Sequence, residues 1–374
     1  MSARIRMVLV IMSLLHLLFS ITLVRSDQAT LPFTSFKIIG NVTYDCIDIY
    51  KQPGLDHPLL KNHTIQMKPS FSKKYERKNQ PDNSKAYKEK IKCPYGTVPI
   101  MRNTKEFIIN AELLSEKYFH PLSGDSPGTH IAGVKQHGGP YHGITAWHDG
   151  YNLDIKQDQA SYSQMYLGSG YYGEVNFISV GMMINPSIFG DGRLWSYGYW
   201  KGKNEKGCYN MACPGFVQVS SMVPMVQPFK FKPGDKEVLQ WSITKDQQTG
   251  NWWIIQNKPN AFIGYWPKEL FHLMDDGANM VGVGGVVQAS PSGLSPPMGN
   301  GKFPAHGPLR AALFSNVDVL NSKYEKRRIN TLPVEELLDS KCYGLRVGKR
   351  VKFWTTPLGF FFNYGGPGGI SCGV

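Results

Sequence analysis

The sequence predicts an all-β protein: an antiparallel β-sandwich preceded by a smaller N-terminal region. Three observations carry this. Glycine (39) and proline (25) are abundant and 12% of residues are aromatic, so the chain has turn formers and apolar surface to bury. Only 18% of residues are charged, below the roughly 25% of ordinary soluble domains, which argues against a helical bundle. Beyond Gly128, short apolar runs alternate with Gly/Pro turn signals, as in a chain of many short strands.

Residues 1–26 begin with Arg4 and Arg6. An apolar run from Val8 to Val24 follows, interrupted by Ser13, His16 and Ser20, with small Val24 and Ser26 ahead of Asp27. This reads as a signal peptide. The alternative is an uncleaved anchor, because the run approaches the ~18 residues of a membrane span. No later stretch is long enough to span after cleavage. Residues 27–128 form a first region. In it Tyr44–Tyr50 is a short strand or a helix start, and 68–92 is a solvated basic linker. Asn103–Leu122 has the helical spacing of Phe107, Ile108, Ala111, Leu114 and Tyr118. Ser123–Gly128 breaks it and marks the boundary.

Residues 129–374 form the second region. Strands are expected at His130–Lys135, His142–Asp149, Ser161–Leu167, Glu174–Ile184 and Val238–Thr244. Trp252–Gln256, Ala261–Tyr265, Asn279–Ala289 and Leu309–Leu320 continue the series, with one short helix at Lys268–Met274.

The net charge of +13 resolves into +3 in residues 1–26, +5 in 70–100 and +5 in 323–352, so the remainder is neutral. Charge confined to a leader, a linker and a late loop, with no stacking aromatics among it, excludes a nucleic-acid partner. Lys326-Arg327-Arg328 and the linker lysines read as solvated loops, protease-sensitive sites or attachments to acidic polysaccharide.

Six cysteines in an oxidising compartment imply three disulfides. Fifteen pairings exist arithmetically; sequence order favours Cys46–Cys93, Cys208–Cys213 and Cys342–Cys372. Asn41-Val-Thr and Asn62-His-Thr are glycosylation acceptors. His137, His142 and His148 flank a Gly-Gly-Pro turn, but no carboxylate or cysteine completes a metal set, so neither metal nor cofactor is expected.

Several strings are more particular than a generic sandwich needs. They are Asn185-Pro-Ser-Ile-Phe-Gly-Asp191, Gly207-Cys-Tyr-Asn-Met-Ala-Cys-Pro-Gly-Phe216, Gly250-Asn-Trp-Trp253, Ile263-Gly-Tyr-Trp-Pro-Lys-Glu-Leu-Phe271 and Asn363-Tyr-Gly-Gly-Pro-Gly-Gly369. Together they resemble the neprosin family of secreted plant proteins. Asp45–Pro53, Asp56–Gln66 and Cys93–Ile100 resemble that family's activation peptide. The resemblance covers nearly all of the mature chain, in order. It implies a zymogen-like region ahead of a β-sandwich. It also implies a glutamic endopeptidase that cleaves after proline in acid, with two glutamates facing each other across a cleft. Two are needed because one carboxylate takes a proton from the attacking water while the other donates to the leaving group. Proximity drives their pKa values apart.

The matching positions lack both. The strand Ile-Glu-Ala-Gly-Trp of the family corresponds to Ile178-Ser179-Val180-Gly181-Met182, and Trp-Gly-Gly-Glu-Val corresponds to Val283-Gly284-Gly285-Val286-Val287. Ser179 and Val286 therefore stand where the catalytic glutamates belong. Glu174 is an odd number of residues from 179, on the other strand face and ~17 Å away. Ser179 has no local base and no Gly-x-Ser-x-Gly turn, so it is not read as a nucleophile.

Trp252, Trp253, Tyr265 and Trp266 are either sandwich core or the lining of a groove that stacks on proline rings. The expectation is a secreted protein of the wall space, apoplast or vacuole that is catalytically inactive and binds proline-rich peptides or wall proteins. The alternatives are an active acid endopeptidase with substitute acids and a purely structural extracellular protein.

Overall fold

The computed structural model describes residues 33–72, 91–117, 128–171, 174–203, 207–229, 237–257, 260–304, 310–328, 334–337, 339–348, 352–353, 356–357, 359–370 and 372. The signal peptide, most of the basic linker and the breaker at 123–127 lie outside them. Phe33–Val374 forms one compact unit.

β1 (Phe33–Ile39) and β2 (Val42–Asp48) make a hairpin. Its tip, Gly40-Asn41, has φ of 48° and 70°, the positive pair that a two-residue turn needs to match strand twist. Tyr44–Tyr50, readable as strand or helix start, is both, since β2 runs into a 3-10 turn at Ile49–Lys51. β3 (Thr97–Met101) completes a three-stranded sheet. α1 (Lys105–Lys117) lies inside the predicted helix. Thr104 starts it, its Oγ1 accepting from the Phe107 amide at 3.1 Å. Phe107, Ala111 and Leu114 are buried while Ile109 and Leu113 are exposed, as a surface helix requires.

The sandwich follows with β4 (Thr129–Tyr141), β5 (Gly143–Gly150), β6 (Ala160–Tyr171) and β7 (Glu174–Ile184). A single helical turn, α2 (Pro186–Phe189), then leads to β8 (Trp195–Lys201), β9 (Cys208–Tyr209) and β10 (Val217–Gln218). β11 (Glu237–Lys245), β12 (Trp252–Asn257), β13 (Asn260–Trp266), β14 (Ala278–Gln288) and β15 (Ala312–Leu320) come next. The chain ends with β16 (Lys326–Arg328), β17 (Val334–Leu337), β18 (Gly344–Val347), β19 (Lys352–Phe353), β20 (Thr356–Pro357) and β21 (Phe361–Gly365).

Two antiparallel sheets result. The smaller has the order β17-β4-β14-β6-β7-β8-β9, and the larger runs β10-β13-β12-β11-β5-β15-β21-β18, with β16 beside β15. The nine predicted strands all coincide with strands. The sequence reading passes over β8 because both of its faces are buried: Trp195, Tyr197 and Tyr199 alternate with buried Ser196 and Gly198, so no polar side marks the strand. The helix expected at Lys268–Met274 is corrected to one 3-10 turn, Lys268–Leu270. The string Asn185–Asp191 has a local cause. Asn185 caps α2, Pro186 opens it, and Gly190 closes it in the left-handed region at φ 74°.

Side chains alternate faces along each strand. Met165, Val180, Met182 and Val283 of the smaller sheet meet Ile144, Ile243, Ile254 and Phe314 of the larger in one buried core. There His148 Nδ1 meets Ser163 Oγ at 3.2 Å between β5 and β6.

The three disulfides pair Cys46–Cys93, Cys208–Cys213 and Cys342–Cys372. The first has a consequence for processing. Seven Lys or Arg residues stand in 73–90, and a cut after any of them leaves residues 33–72 attached through Cys46–Cys93. Limited trypsin digestion is expected to release the N-terminal piece on a reducing gel and not on a non-reducing one. Release without reductant would contradict the pairing. Among the described residues no helix is long and apolar enough to cross a membrane.

Candidate functional site

Ser179 and Val286 lie on the same, outer face of the smaller sheet. The register runs Ser179↔Tyr166↔Gly282 and Met183↔Tyr162↔Val286 across β7, β6 and β14. The two positions are therefore two strands apart and four residues out of line, about 10 Å across and about 13 Å along on a flat sheet. They share one face of one sheet. Gly282 is directly across from Ser179, and the Tyr166 ring lies over it; a Cβ there would sit 2.3 Å from the ring.

Ser179 is fully buried in a closed neutral triangle. Its hydroxyl lies 3.2 Å from Gln164 Oε1 and 3.1 Å from Tyr197 OH, which lies 3.1 Å from the same Oε1; the two hydroxyl protons serve two of these three contacts at a time. Burial pushes the Tyr197 phenol far above its ordinary range, so it stays protonated. No histidine touches Ser179 in this triangle.

Acids are scarce around it. Strands β4, β6, β7, β8, β9 and β14 contain one, Glu174. It is exposed at the start of β7, with its Oε2 3.3 Å from His272 Nε2. Glu335 and Glu336 belong to the edge strand β17, four strands from β7 or about 19 Å. Asp191 is committed elsewhere, accepting from Arg193 Nε at 2.9 Å and Trp195 Nε1 at 2.9 Å. Burial alone would raise its carboxyl, but these bonds and the Arg193 charge outweigh it and hold it below the usual range.

The aromatic quartet divides. Trp252 and Trp266 point into the inter-sheet core, which removes them from any groove. Trp253 and Tyr265 point outward from the larger sheet with Val217 and Ile255, and Leu55, Ile65 and Phe71 of the N-terminal region pack onto them. All four are buried. Pairing in the β12–β13 hairpin explains the division, since Trp252↔Trp266 and Trp253↔Tyr265 each share a face.

The sequence reading missed what holds the N-terminal segment there. Asp246, at the end of β11, accepts from the Ser70 amide and from Gln66 Nε2 at 3.1 Å. Gln66 Oε1 accepts from Thr249 Oγ1, Asn251 Nδ2 and Trp253 Nε1. Thr249-Gly-Asn251 reads only as a turn in the sequence; nothing in it points to a partner 180 residues upstream.

The three histidines of the Gly-Gly-Pro turn separate. His137 is exposed, His142 Nε2 donates to the Asp276 carbonyl at 2.8 Å, and His148 is in the core. Asn41 and Asn62 are exposed.

This is a two-sheet sandwich whose N-terminal region packs on both sheets: Leu55, Ile65 and Phe71 lie on the outer face of the larger one, while α1 packs against α2 and His57 against Trp200 of β8 in the smaller one. Residues 157–367 match the family model for neprosin, and residues 38–124 match that for the neprosin activation peptide. The chain belongs to the neprosin family. Among solved structures it is similar to scytalido-glutamic peptidase with a peptide-based transition state analog, at 9% identity and a TM-score of 0.34 over 64% of this chain and 98% of that one. It is also similar to SCP-B, a member of the eqolisin family of peptidases in a complex with the tripeptide Ala-Ile-His, at 8% identity and a TM-score of 0.34 over 64% and 98%.

Proposed function

We propose that this chain is a secreted, non-catalytic member of its peptidase-like family that binds extended, proline-containing peptides without cutting them. One observation carries the first half: strands β4, β6, β7, β8 and β14 place no carboxylate on the outer face of the smaller sheet, where Ser179 lies among the uncharged groups of Gln164 and Tyr197. Each general acid or base is worth about 10²–10⁴ in rate, and two are missing. Serine and valine supply neither. The binding half is supported by the outer face of the larger sheet, where an extended segment of the chain itself, containing Pro69, lies beside Trp253 and Tyr265. Three disulfides support an oxidising destination such as the wall space or vacuole.

The test is a proline-containing fluorogenic peptide offered to the purified chain at acid pH. No turnover above buffer is expected. Turnover that disappears in Ser179→Ala would overturn the non-catalytic reading. The same peptide without a cleavable bond, titrated against tryptophan fluorescence, is expected to give a saturable change.

A further inference from the structure

We propose that the β11–β12 turn and the aromatic outer face of the larger sheet form a glutamine-selective subsite for extended peptides, occupied here in cis by Gln66. This rests on the peptide-binding reading above and names the side chain that the site selects.

Both ends of the Gln66 amide are read. Nε2 donates to Asp246 Oδ2 at 3.1 Å, while Oε1 accepts from Thr249 Oγ1 at 2.8 Å, Asn251 Nδ2 at 2.9 Å and Trp253 Nε1 at 3.1 Å. The Gln66 amide N–H donates to Tyr265 OH at 2.8 Å. With the segment in place Asp246 and Asn251 are buried, at 0% and 3% exposure, so the bonds to Gln66 are made away from water. A carboxylate and three donors around one side chain fit a primary amide. A glutamate would set its charge against Asp246, a lysine would leave three donors unpaired, and an asparagine is one methylene short.

The division of labour at Asp246 argues for a built site. Oδ1 serves the turn, accepting from the Gln248 and Thr249 amides at 2.9 and 3.0 Å. The turn also closes through Gly250 N–H to Asp246 O at 2.9 Å and Asp246 N–H to Asn251 O at 2.8 Å. Oδ2 accepts from the incoming segment, at Gln66 and Ser70. The ligand class follows: an extended peptide with glutamine at the pocket, an apolar residue before it as Ile65 is, and a free amide N–H four residues on. Proline is tolerated immediately before that amide, where Pro69 stands.

Residues 33–72 stay tethered through Cys46–Cys93, so a free peptide competes with a cis ligand at an effective concentration of order millimolar. The experiment therefore uses the full chain carrying Gln66→Ala and a synthetic peptide of residues 62–72, followed by tryptophan fluorescence. Saturable binding is expected, at least ~10-fold weaker in the unsubstituted chain, where the pocket is filled. Peptides with Gln→Glu or Gln→Ala at the pocket position are expected to bind Gln66→Ala at least ~10-fold more weakly than the parent peptide. Equal binding by all three peptides would overturn glutamine selection and leave the peptide-binding reading standing. Binding by none would overturn both. If Gln66→Ala does not fold, the unsubstituted chain at higher peptide concentration carries the same three-peptide comparison.

Discussion

Lowering the pH from 7 to 4 is expected to cost this fold about 3 kcal/mol through one side chain, His148. The imidazole is fully buried between the sheets, with Phe314 4.6 Å from its ring and its Nε2 without a hydrogen-bond partner. Burial pushes its pKa down to about 3. In the unfolded chain it titrates near ~6.5. Between those values the unfolded state binds a proton that the folded state refuses. Stability is therefore full above ~6.5 and falls as pH drops toward 3. Urea midpoints at pH 7 and pH 4 measure it, with His148→Phe as reference. That variant leaves Ser163 without its partner at every pH, so it shifts both midpoints together. The drop on acidification is expected to be about 3 kcal/mol smaller in His148→Phe than in the parent chain. Equal drops would mean that His148 protonates inside the fold.

Val286→Glu is expected to show the opposite slope. Val286 is 4% exposed on the outer face of the smaller sheet. A carboxyl buried there prefers its neutral form, so its folded pKa rises above the ~4.3 of an unfolded glutamate. The charge penalty is small below ~4.3, grows as pH rises toward the folded pKa, and reaches at most about 4 kcal/mol at pH 7. The variant is thus expected to recover stability relative to the parent on acidification, read by the same urea midpoints. Parallel behaviour of the two chains would show that water reaches position 286. A carboxyl kept protonated by burial is what a general acid needs. Carrying valine there spares the fold that cost at neutral pH.

The same two residues show how much of the site was legible in the sequence. The proposal that Ser179 and Val286 stand where the family carries its glutamates rests on strings such as Asn185–Asp191 and Val283–Val287. Alternation within each strand is a property of sequence position. The common face of the two residues and their offset by four residues are not. Both depend on the pairings of β6 with β7 and with β14, which are long-range contacts that neither strand encodes alone. β8 was missed for a related reason, since a strand buried on both faces has no polar side to mark it.

By itself the sequence determined the fold class, nine of the strands after Gly128 and the likeness to one family. Those rest on local periodicity, turn chemistry and residue identity, which are written along the chain. The tertiary structure alone decided that Trp252 and Trp266 belong to the core while Trp253 and Tyr265 belong to an outer face. It also placed Gln66 among Asp246, Thr249 and Asn251. The physical reason is the same in each case. Which face is solvent-covered, core-covered or covered by the chain's own N-terminal segment is set by partners about 180 residues apart, and that pairing has no local signature.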